Sequence, residues 1–346
     1  MKLGMIIENG MPHFEIDMDL VLEAERLGFD SVWTSEAWGV DAVTPAAWVL
    51  AQTSKIKVGT AIMQTPARTP ATTAMTAMSL QQLSGDRFIL GLGPSGPQVV
   101  EGWHGVPFGR PLGRTREYIE IIRKILNRSE PLTHNGYHYQ IPVTGEGTTG
   151  LGKPLKSISH GNPSLKIITG SISPAGVRTA AEIADGFVPS FMNPDRFDVF
   201  EGAIEEGFAK AGGGKSMADF AVMPFCTVNM KDDVEQARRP EREHLALYLG
   251  GMGSRDKNYY NDYAKRLGYE DAAVEIQEHF LAGRRAEAVE AVPEQLVDEV
   301  SLVGPKEKIV EHLQDFMRAS KAGQVDSLLC RLSTVEEVRV LAETVL

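Results

Sequence analysis

Residues 56–93 read IKVGTAIMQTPARTPATTAMTAMSLQQLSGDRFILGLG, and this stretch decides the fold. Its first seven residues, 56–62, predict a buried strand. A helix is predicted from about Ala71 to Leu83, after Pro70, and a second strand from Arg87 to Leu92. A strand, a helix and a strand in so short a span require a crossover over one face of a sheet. The two strands are therefore expected to run parallel.

The same alternation continues in both directions along the chain. Strands are predicted at residues 2–7, 30–34, 56–62, 87–92, 165–169, 186–189, 219–228 and 325–330, with helices between them. Eight strands with intervening helices predict a (β/α)8 (TIM) barrel that forms one domain over residues 1–346. Two long segments, at about 130–163 and 231–300, interrupt the alternation of strands and helices, and we interpret both as insertions.

Composition narrows the classes of function. The net charge of −11 comes from 46 acidic and 35 basic residues without a basic block, which argues against a nucleic-acid surface. No run of 18 apolar residues predicts a membrane span, and the N-terminus does not resemble a signal peptide. Cys226 and Cys330 each lie in an apolar run, so we expect buried, reduced thiols and a cytoplasmic protein. No metal-binding, serine-nucleophile or P-loop motif is present.

Glycines follow the fourth predicted strand. Residues 91–96 read GLGPSG, which matches the G-x-G-x-x-G pattern of dinucleotide-binding Rossmann domains. Pro94 and Pro97 are expected to prevent a helix from starting within the glycines, and Glu117 falls inside a helix rather than at a strand end. The remaining alternatives are a tight turn and a surface on which a flat ring system lies close to the backbone. We favour the second, since barrel enzymes bind ligands at the carboxyl ends of their strands.

A second glycine-containing loop follows the fifth strand. Residues 169–176 read TGSISPAG and pass from a strand end to a helix start, with hydroxyls and free N–H groups near each other. Such a loop can hold a phosphate group at the helix N-terminus. It can equally be a simple serine cap, with Ser173 before Pro174, and spacing alone does not separate the two alternatives.

Several ionisable and aromatic side chains follow predicted strands. The ionisable ones are Glu8, Glu36, Asp41, Glu101 and His104. Trp33 and Trp48 fall in periodic runs and are expected in the core. Trp38 and Trp103 fall in loops at the expected mouth of the barrel, where an indole could stack on a ligand.

At these residues the chain resembles the luciferase-like flavin and deazaflavin oxidoreductases over nearly its whole length. The resemblance rests on Arg68-Thr69-Pro70, on LQQLSGDRFILGLG at 80–93 and on AEIADG at 181–186. A narrower resemblance, to an actinobacterial branch thought to use the deazaflavin coenzyme F420, rests on four further segments. These are GPQVVEGWHG at 96–105, RTREY at 114–118, GGMG at 250–253 and LAGRR at 281–285.

The resemblance implies a cofactor and a set of residues that bind it. It favours coenzyme F420 over FMN, with hydride transfer to or from a small or lipophilic organic substrate, and it implies a homodimer. The ring would lie over the ends of strands two to four and the phosphate on residues 170–176. The implied cofactor-binding residues are Glu36, Thr60, Ala61, Ile62, Gly93, Ser95, Gly96, Gln98, Val99, Gly170, Ser171, Ile172, Ser173, Ala175 and Gly176. A non-proline cis peptide bond is implied at Ala61-Ile62.

The sequence also departs from its relatives. Deazaflavin sugar-phosphate dehydrogenases place a histidine one residue after the strand-two acid, where this chain has Ala37 after Glu36. Their acid after the strand-four glycine pair is replaced by Pro97. Sugar-phosphate oxidation is therefore not expected, and Glu8 becomes the candidate for proton transfer. Two alternatives stay open, an FMN-dependent luciferase-like monooxygenase and a non-catalytic flavin-binding protein.

Overall fold

Parallel strands form a closed ring in this chain. The computed structural model describes residues 1–10 and 12–346. The strands are β1 Lys2–Ile6, β2 Ser31–Thr34, β3 Lys57–Thr60, β4 Met63–Gln64, β5 Phe88–Gly93, β6 His134–Asn135, β7 Gln140–Ile141, β8 Ile167–Gly170, β9 Gly186–Val188, β10 Ala221–Val222, β11 Phe225–Met230, β12 Leu302–Gly304 and β13 Ser327–Arg331. All pair in parallel except β6 and β7, which form a separate antiparallel hairpin.

The ring closes through one interrupted strand. Neighbours follow the order β10, β9, β8, β5, β3, β2, β1, β13, β11. Strand β10 pairs with β9 at one edge of the sheet, and β11 pairs with β13 at the other. Because β10 and β11 follow each other directly in the chain, these two pairings join the edges and close the ring. The predicted barrel is therefore confirmed. Its closed ring excludes the open sheet of a Rossmann domain.

Helices cover the outside of the ring. They are α1 Met18–Leu27, α2 Val43–Gln52, α3 Pro70–Ser84, α4 Pro97–Gly102, α5 Pro111–Asn127, α6 Pro174–Ile183, α7 Asp198–Ala211, α8 Val234–Gly251, α9 Tyr259–Arg266, α10 Glu270–Leu281, α11 Arg285–Glu290, α12 Glu294–Val300, α13 Lys306–Lys321 and α14 Val335–Val345. Several ends follow simple local chemistry. The hydroxyl of Thr69 caps α3, and α1 and α3 both end at a left-handed glycine, Gly28 and Gly85.

Two apolar layers hold the barrel together. The strands point small and branched side chains inward, together with the buried ring of Trp33, while the opposite faces pack against the helices. Cys226 and Cys330 are neighbours across β11 and β13 and are buried free thiols, as expected. Burial raises the pKa of both.

The two excursions differ in content. Residues 130–163 contain the β6–β7 hairpin and are otherwise irregular, whereas residues 231–300 hold the five helices α8–α12. Aromatic and aliphatic side chains of α8–α12 pack with residues of α6 and α7 in one apolar cluster. The description of the chain as one domain with two insertions stays a prediction.

Four expectations are wrong in detail. The strand predicted at 219–228 is interrupted between Val222 and Phe225, and β12 was missed because its three residues stand directly between two helices. A short helix, α4, does begin at Pro97 immediately after the glycines, since proline is compatible with the first turn of a helix. Trp48 is 58% exposed on the outer face of α2 rather than buried.

The structure also bears on membranes and metals. Within residues 1–10 and 12–346, no helix combines the length and the apolarity needed to cross a membrane. The same residues contain no group of three or more His, Cys, Asp or Glu side chains arranged to hold a metal ion.

Candidate active site

The residues implied as a site lie at one rim of the barrel. Residues 60–62 follow β3, Gly93 ends β5 and Gly170 ends β8. Because all barrel strands are parallel, their carboxyl ends meet at the same rim.

Ile62 brings three of the implied segments together. A methyl group added at Gly93 would stand 2.7 Å from Cγ1 of Ile62, and one at Gly170 would stand 3.1 Å from its Cγ2. The isoleucine side chain therefore fills the space that side chains at both glycines would occupy. The peptide bond Ala61-Ile62 is cis, as the resemblance implies. Ala61, Ile62, Gly93 and Gly170 thus form an apolar floor at the rim, in which the Ile62 side chain lies against both glycines.

Thr60 has a structural task beside this floor. Its hydroxyl donates to the carbonyl of Gly91 at 2.8 Å and accepts from the amide of Gly91 at 3.0 Å. A methyl group at Gly91 would stand 1.7 Å from the carbonyl oxygen of Thr60. The glycine thus allows β3 and β5 to approach closely just below the floor.

Glu36 is buried beneath the rim, and protein donors occupy its carboxylate. Oε1 accepts from Nη1 of Arg68 at 2.6 Å and from the amide of Gln64 at 2.7 Å. Oε2 accepts from Nη2 of Arg68 at 3.0 Å and from the amide of Ala42 at 2.9 Å. Burial opposes the charge of Arg68, but its hydrogen bonds and charge contacts with Glu36 and Asp41 raise its pKa on balance. The carboxylate therefore shapes the rim through the loops that it holds.

Gln64 joins this network to a histidine. Its side-chain N–H groups donate to the carbonyls of Glu36 and Ala37 at 3.1 and 2.7 Å, which leaves its Oε1 to face Nε2 of His104 at 2.9 Å. Because Oε1 can only accept, this arrangement assigns the hydrogen of His104 to Nε2. Gln64 thus links His104 to the carbonyl of Ala37. Ala37 is the position at which the deazaflavin sugar-phosphate dehydrogenases have a histidine.

The loop after β8 has the features of an anion site. The hydroxyl of Ser173 accepts from the amide of Gly176 at 3.2 Å and caps α6, while the hydroxyls of Ser171 and Ser173 each stand 3.0 Å from where a methyl group at Gly176 would lie. Among the described residues, the amides of Ile172, Ser173 and Ala175 donate to no protein acceptor. Ser173 is therefore a helix cap, and the loop also offers unpaired donors at the positive end of a helix dipole.

The loop after β5 is less uniform. Ser95 adopts a positive φ of 60°, and Gly96 stands immediately before α4. Val99 is half-buried on α4 and Gln98 is exposed. Gln98 and Val99 lie in the first turn of α4, whereas Gly93 belongs to the floor itself.

Glu8 lies on the side of the rim formed by β1 and β13. Its Oε2 stands 3.0 Å from Nε of Arg331 without the alignment of a hydrogen bond, so the contact is a charge pair. Both side chains are substantially exposed. None of the residues of the floor contacts Glu8 through a hydrogen bond.

Aromatic side chains of the second insertion and of the loop after β9 lie near this pair. The ring of Phe191, from the loop after β9, lies 5.1 Å from His244 and 5.4 Å from Tyr248, and Tyr248 lies 4.7 Å from Tyr260. Burial raises the pKa of Tyr248, Arg331 lowers it, and Glu241 and Glu8 raise it, with a net increase. Because the charges of Arg331 and Glu8 act on Tyr248, the aromatic cluster lies near the β1–β13 side of the rim.

Two surface clefts lie away from the rim. One of about 360 Å³ is lined by residues 194–201 and the last turn of α13, and one of about 270 Å³ is lined by the end of α3 and residues 160–162. Neither contains an implied site residue. The positions of these two clefts therefore do not coincide with the rim. We favour the rim because its unpaired amides and glycine floor are specific ligand-binding features, whereas the clefts are open hollows between helices.

Comparison with known proteins identifies the family of this chain. The sequence pattern of the luciferase-like monooxygenase family matches residues 4–322. The chain belongs to this family. Among curated members, a Mycobacterium tuberculosis protein named "Putative coenzyme F420-dependent oxidoreductase Rv3520c" is 44% identical over 100% of this chain and 99% of its own. A 5,10-methylenetetrahydromethanopterin reductase of Archaeoglobus fulgidus is 26% identical over 92% and 91%.

The fold of this luciferase-like chain also matches solved structures. The coenzyme F420-dependent tetrahydromethanopterin reductase from Methanopyrus kandleri superposes with a TM-score of 0.78, at 23% identity, over 99% of this chain and 98% of the other. At this identity the match supports the barrel fold, which the strand order shows independently.

Sequence reasoning missed several residues at the rim. Arg68 lay inside a quoted motif, but its partner Glu36 is 32 residues earlier. Gln64 stands two residues after Ile62, but the break between β3 and β4 at residues 61–62 removes the strand alternation that would have assigned its face. Arg331 at the end of β13 and Arg266 from the second insertion carry no local signal that separates them from other surface arginines.

Proposed function

We propose that this protein is a coenzyme F420-dependent oxidoreductase that transfers a hydride between the deazaflavin and a small or lipophilic organic substrate. The observation that carries the proposal is the floor formed by the Ile62 side chain against Gly93 and Gly170, an apolar surface on the rim that also carries a loop with unpaired amides. The name of the M. tuberculosis relative, which is 44% identical over the whole chain, supports the choice of cofactor.

The residues present fit such a cofactor. Ala61, Ile62 and Gly93 would support the ring, and residues 170–176 would hold the phosphate through backbone N–H groups and serine hydroxyls. When bound, the deazaflavin supplies a hydride donor or acceptor at its C5 atom. The rim then orients the reactants, while the second insertion limits the access of water.

Glu8 is the proposed proton-transfer residue. It stands at the end of β1, on the rim that also carries the floor, and Arg331 holds its carboxylate at one oxygen. The other oxygen is available to a substrate hydroxyl or to water. We expect the substrate between this pair and the floor, under the aromatic cluster of Phe191, Tyr248 and Tyr260, which suits a neutral and partly apolar molecule.

Cofactor titration tests the proposal. Purified apoprotein is titrated with F420 and with FMN while the tryptophan fluorescence, to which the exposed Trp38 and Trp103 contribute, is followed. We expect tighter binding of F420. Substitution Gly93→Ala should weaken it by displacing Ile62, whereas Gly102→Ala, where a methyl group meets no atom within 4 Å, should leave it unchanged.

Two other results would redirect the assignment. Tighter binding of FMN would favour a monooxygenase supplied with reduced flavin, the activity after which the family is named. Tight F420 binding without reduction of any member of a carbonyl and alkene panel would favour a non-catalytic flavin-binding protein.

We propose further that the protein is a cytoplasmic homodimer that meets its second copy through α2 and α3. These neighbouring helices contain no charged residue, yet Trp48, Met75 and Leu83 are 58%, 62% and 87% exposed on them. Since each copy carries a net charge of −11, an uncharged face is where two copies can approach with least repulsion. Sedimentation of wild type and of Trp48→Glu tests this. A wild-type monomer would refute it, and the variant should shift the equilibrium toward monomer.

A further inference from the structure

Arg266 links the second insertion to the rim. It is the last residue of α9, and its Nη2 donates to the carbonyl of Ile172 at 2.8 Å, across 94 residues of chain. Ile172 lies in the middle of the loop after β8. The guanidinium group is therefore held against the backbone of that loop.

The guanidinium of Arg266 lacks an anionic partner. It forms no ion pair with a carboxylate of the described residues, and its Nε is buried without a hydrogen-bond partner. Burial lowers its pKa, and the fields of Tyr263 and Asp262 only partly oppose this effect. Nearby Arg196 differs, because its guanidinium pairs with Asp198 at 2.9 Å. Removing a cation from water without a counter-ion costs free energy. The chain has 46 acidic residues, yet none of those that the structure describes forms an ion pair with Arg266.

The loop that Arg266 contacts offers several hydrogen-bond donors without a protein acceptor. The amides of Ile172, Ser173 and Ala175 are unpaired, the N-terminus of α6 points to the same loop, and the hydroxyls of Ser171 and Ser173 stand over Gly176. Cation, amides and hydroxyls together suit a phosphate ester, whose oxygens accept several hydrogen bonds at once.

We propose that Arg266 binds the phosphate group of the cofactor and thereby draws the second insertion onto the rim. This inference rests on the proposed function. It adds a cationic ligand from a distant segment to a loop that otherwise offers backbone N–H groups and serine hydroxyls.

The test compares two cofactor forms, F420 and its chromophore FO, which has the same deazaflavin ring and ribityl chain but no phosphate. Dissociation constants are measured by fluorescence for wild type, Arg266→Gln, Arg266→Lys and Arg178→Gln. The last variant is the matched control, since Arg178 lies on α6 but pairs with Glu206. Arg266→Gln should weaken F420 binding about 10- to 100-fold, the effect of losing a charged hydrogen bond, and leave FO binding unchanged. Arg266→Lys should lie between.

Each outcome decides between distinct explanations. Equal loss of F420 and FO binding in Arg266→Gln would make Arg266 a structural brace and overturn the inference. Unchanged F420 affinity, with loss of thermal protection by inorganic phosphate, would assign the site to an anionic substrate and also overturn it. If Arg266→Gln does not fold, Arg266→Lys decides by the same ratio. Failure of wild type to bind either deazaflavin would instead reject the proposed function, and this inference with it.

Discussion

The buried pair of Glu36 and Arg68 offers a sharp test of how the rim is built. Glu36 has a side chain only 6% exposed, Arg68 is 19% exposed, and four protein donors surround the carboxylate. Substitution Glu36→Gln keeps the shape but removes the charge. It also turns an NH2 group toward the N–H groups of Ala42 and Gln64 or toward Arg68.

The expected loss is large for a single atom change. Removing one partner of a buried charged pair costs about 3–5 kcal/mol, because the other charge stays buried without compensation. Arg68 can still interact with Asp41, whose Oδ1 lies 3.9 Å from Nη2. We therefore expect the lower end, about 3 kcal/mol in the free energy of unfolding. The exposed pair Asp195–Arg318, with side chains 62% and 60% exposed, is the control. Asp195→Asn should cost less than about 1 kcal/mol.

Urea denaturation followed by tryptophan fluorescence measures both variants against wild type. The slope of the transition should stay constant, so that the midpoints report stability. A loss below about 1 kcal/mol for Glu36→Gln, or one equal to that of Asp195→Asn, would refute the structural role of this carboxylate.

Two further predictions concern the backbone and acid stability. Gly91→Ala should prevent folding to the native barrel, because its methyl group would stand 1.7 Å from the carbonyl oxygen of Thr60, whereas Gly102→Ala should fold normally; circular dichroism and soluble yield compare them. Burial opposes the charge of Glu117, but backbone N–H donors led by His138 outweigh it and lower its pKa. Its stabilising contribution should therefore be complete above the ordinary glutamate pKa of about 4.3 and disappear as the pH falls through the lowered value. Thermal melts of wild type and Glu117→Gln should differ at neutral pH and converge in acid, and a constant difference would contradict this reading.

Local chemistry made much of the barrel predictable. Gly28 and Gly85 end helices in the left-handed conformation, as glycine after a periodic apolar run indicates. Trp48 was misjudged because α2 is apolar on nearly every side, so periodicity could not identify its buried face. The three residues of β12 are too few to show a strand pattern, and they form one only because β11 offers a free edge.

The candidate site was predictable where it is local and not where it depends on distant contacts. The spacing of the glycines and serines at residues 170–176 allows a serine cap or a phosphate loop, and the cap by Ser173 is present in the structure. In contrast, the donors that occupy Glu36 and the contact of Arg266 with Ile172 arise from segments 6 to 94 residues away. A pattern of residue types carries no information about such pairs, since many surface arginines have the same neighbours in sequence.

A crystal structure of the protein with F420 tests the central claim most directly. The account predicts density for the deazaflavin ring against Ala61, Ile62 and Gly93, with the phosphate on residues 170–176. Density for the cofactor in either surface cleft, or with its phosphate away from the N-terminus of α6, would contradict it.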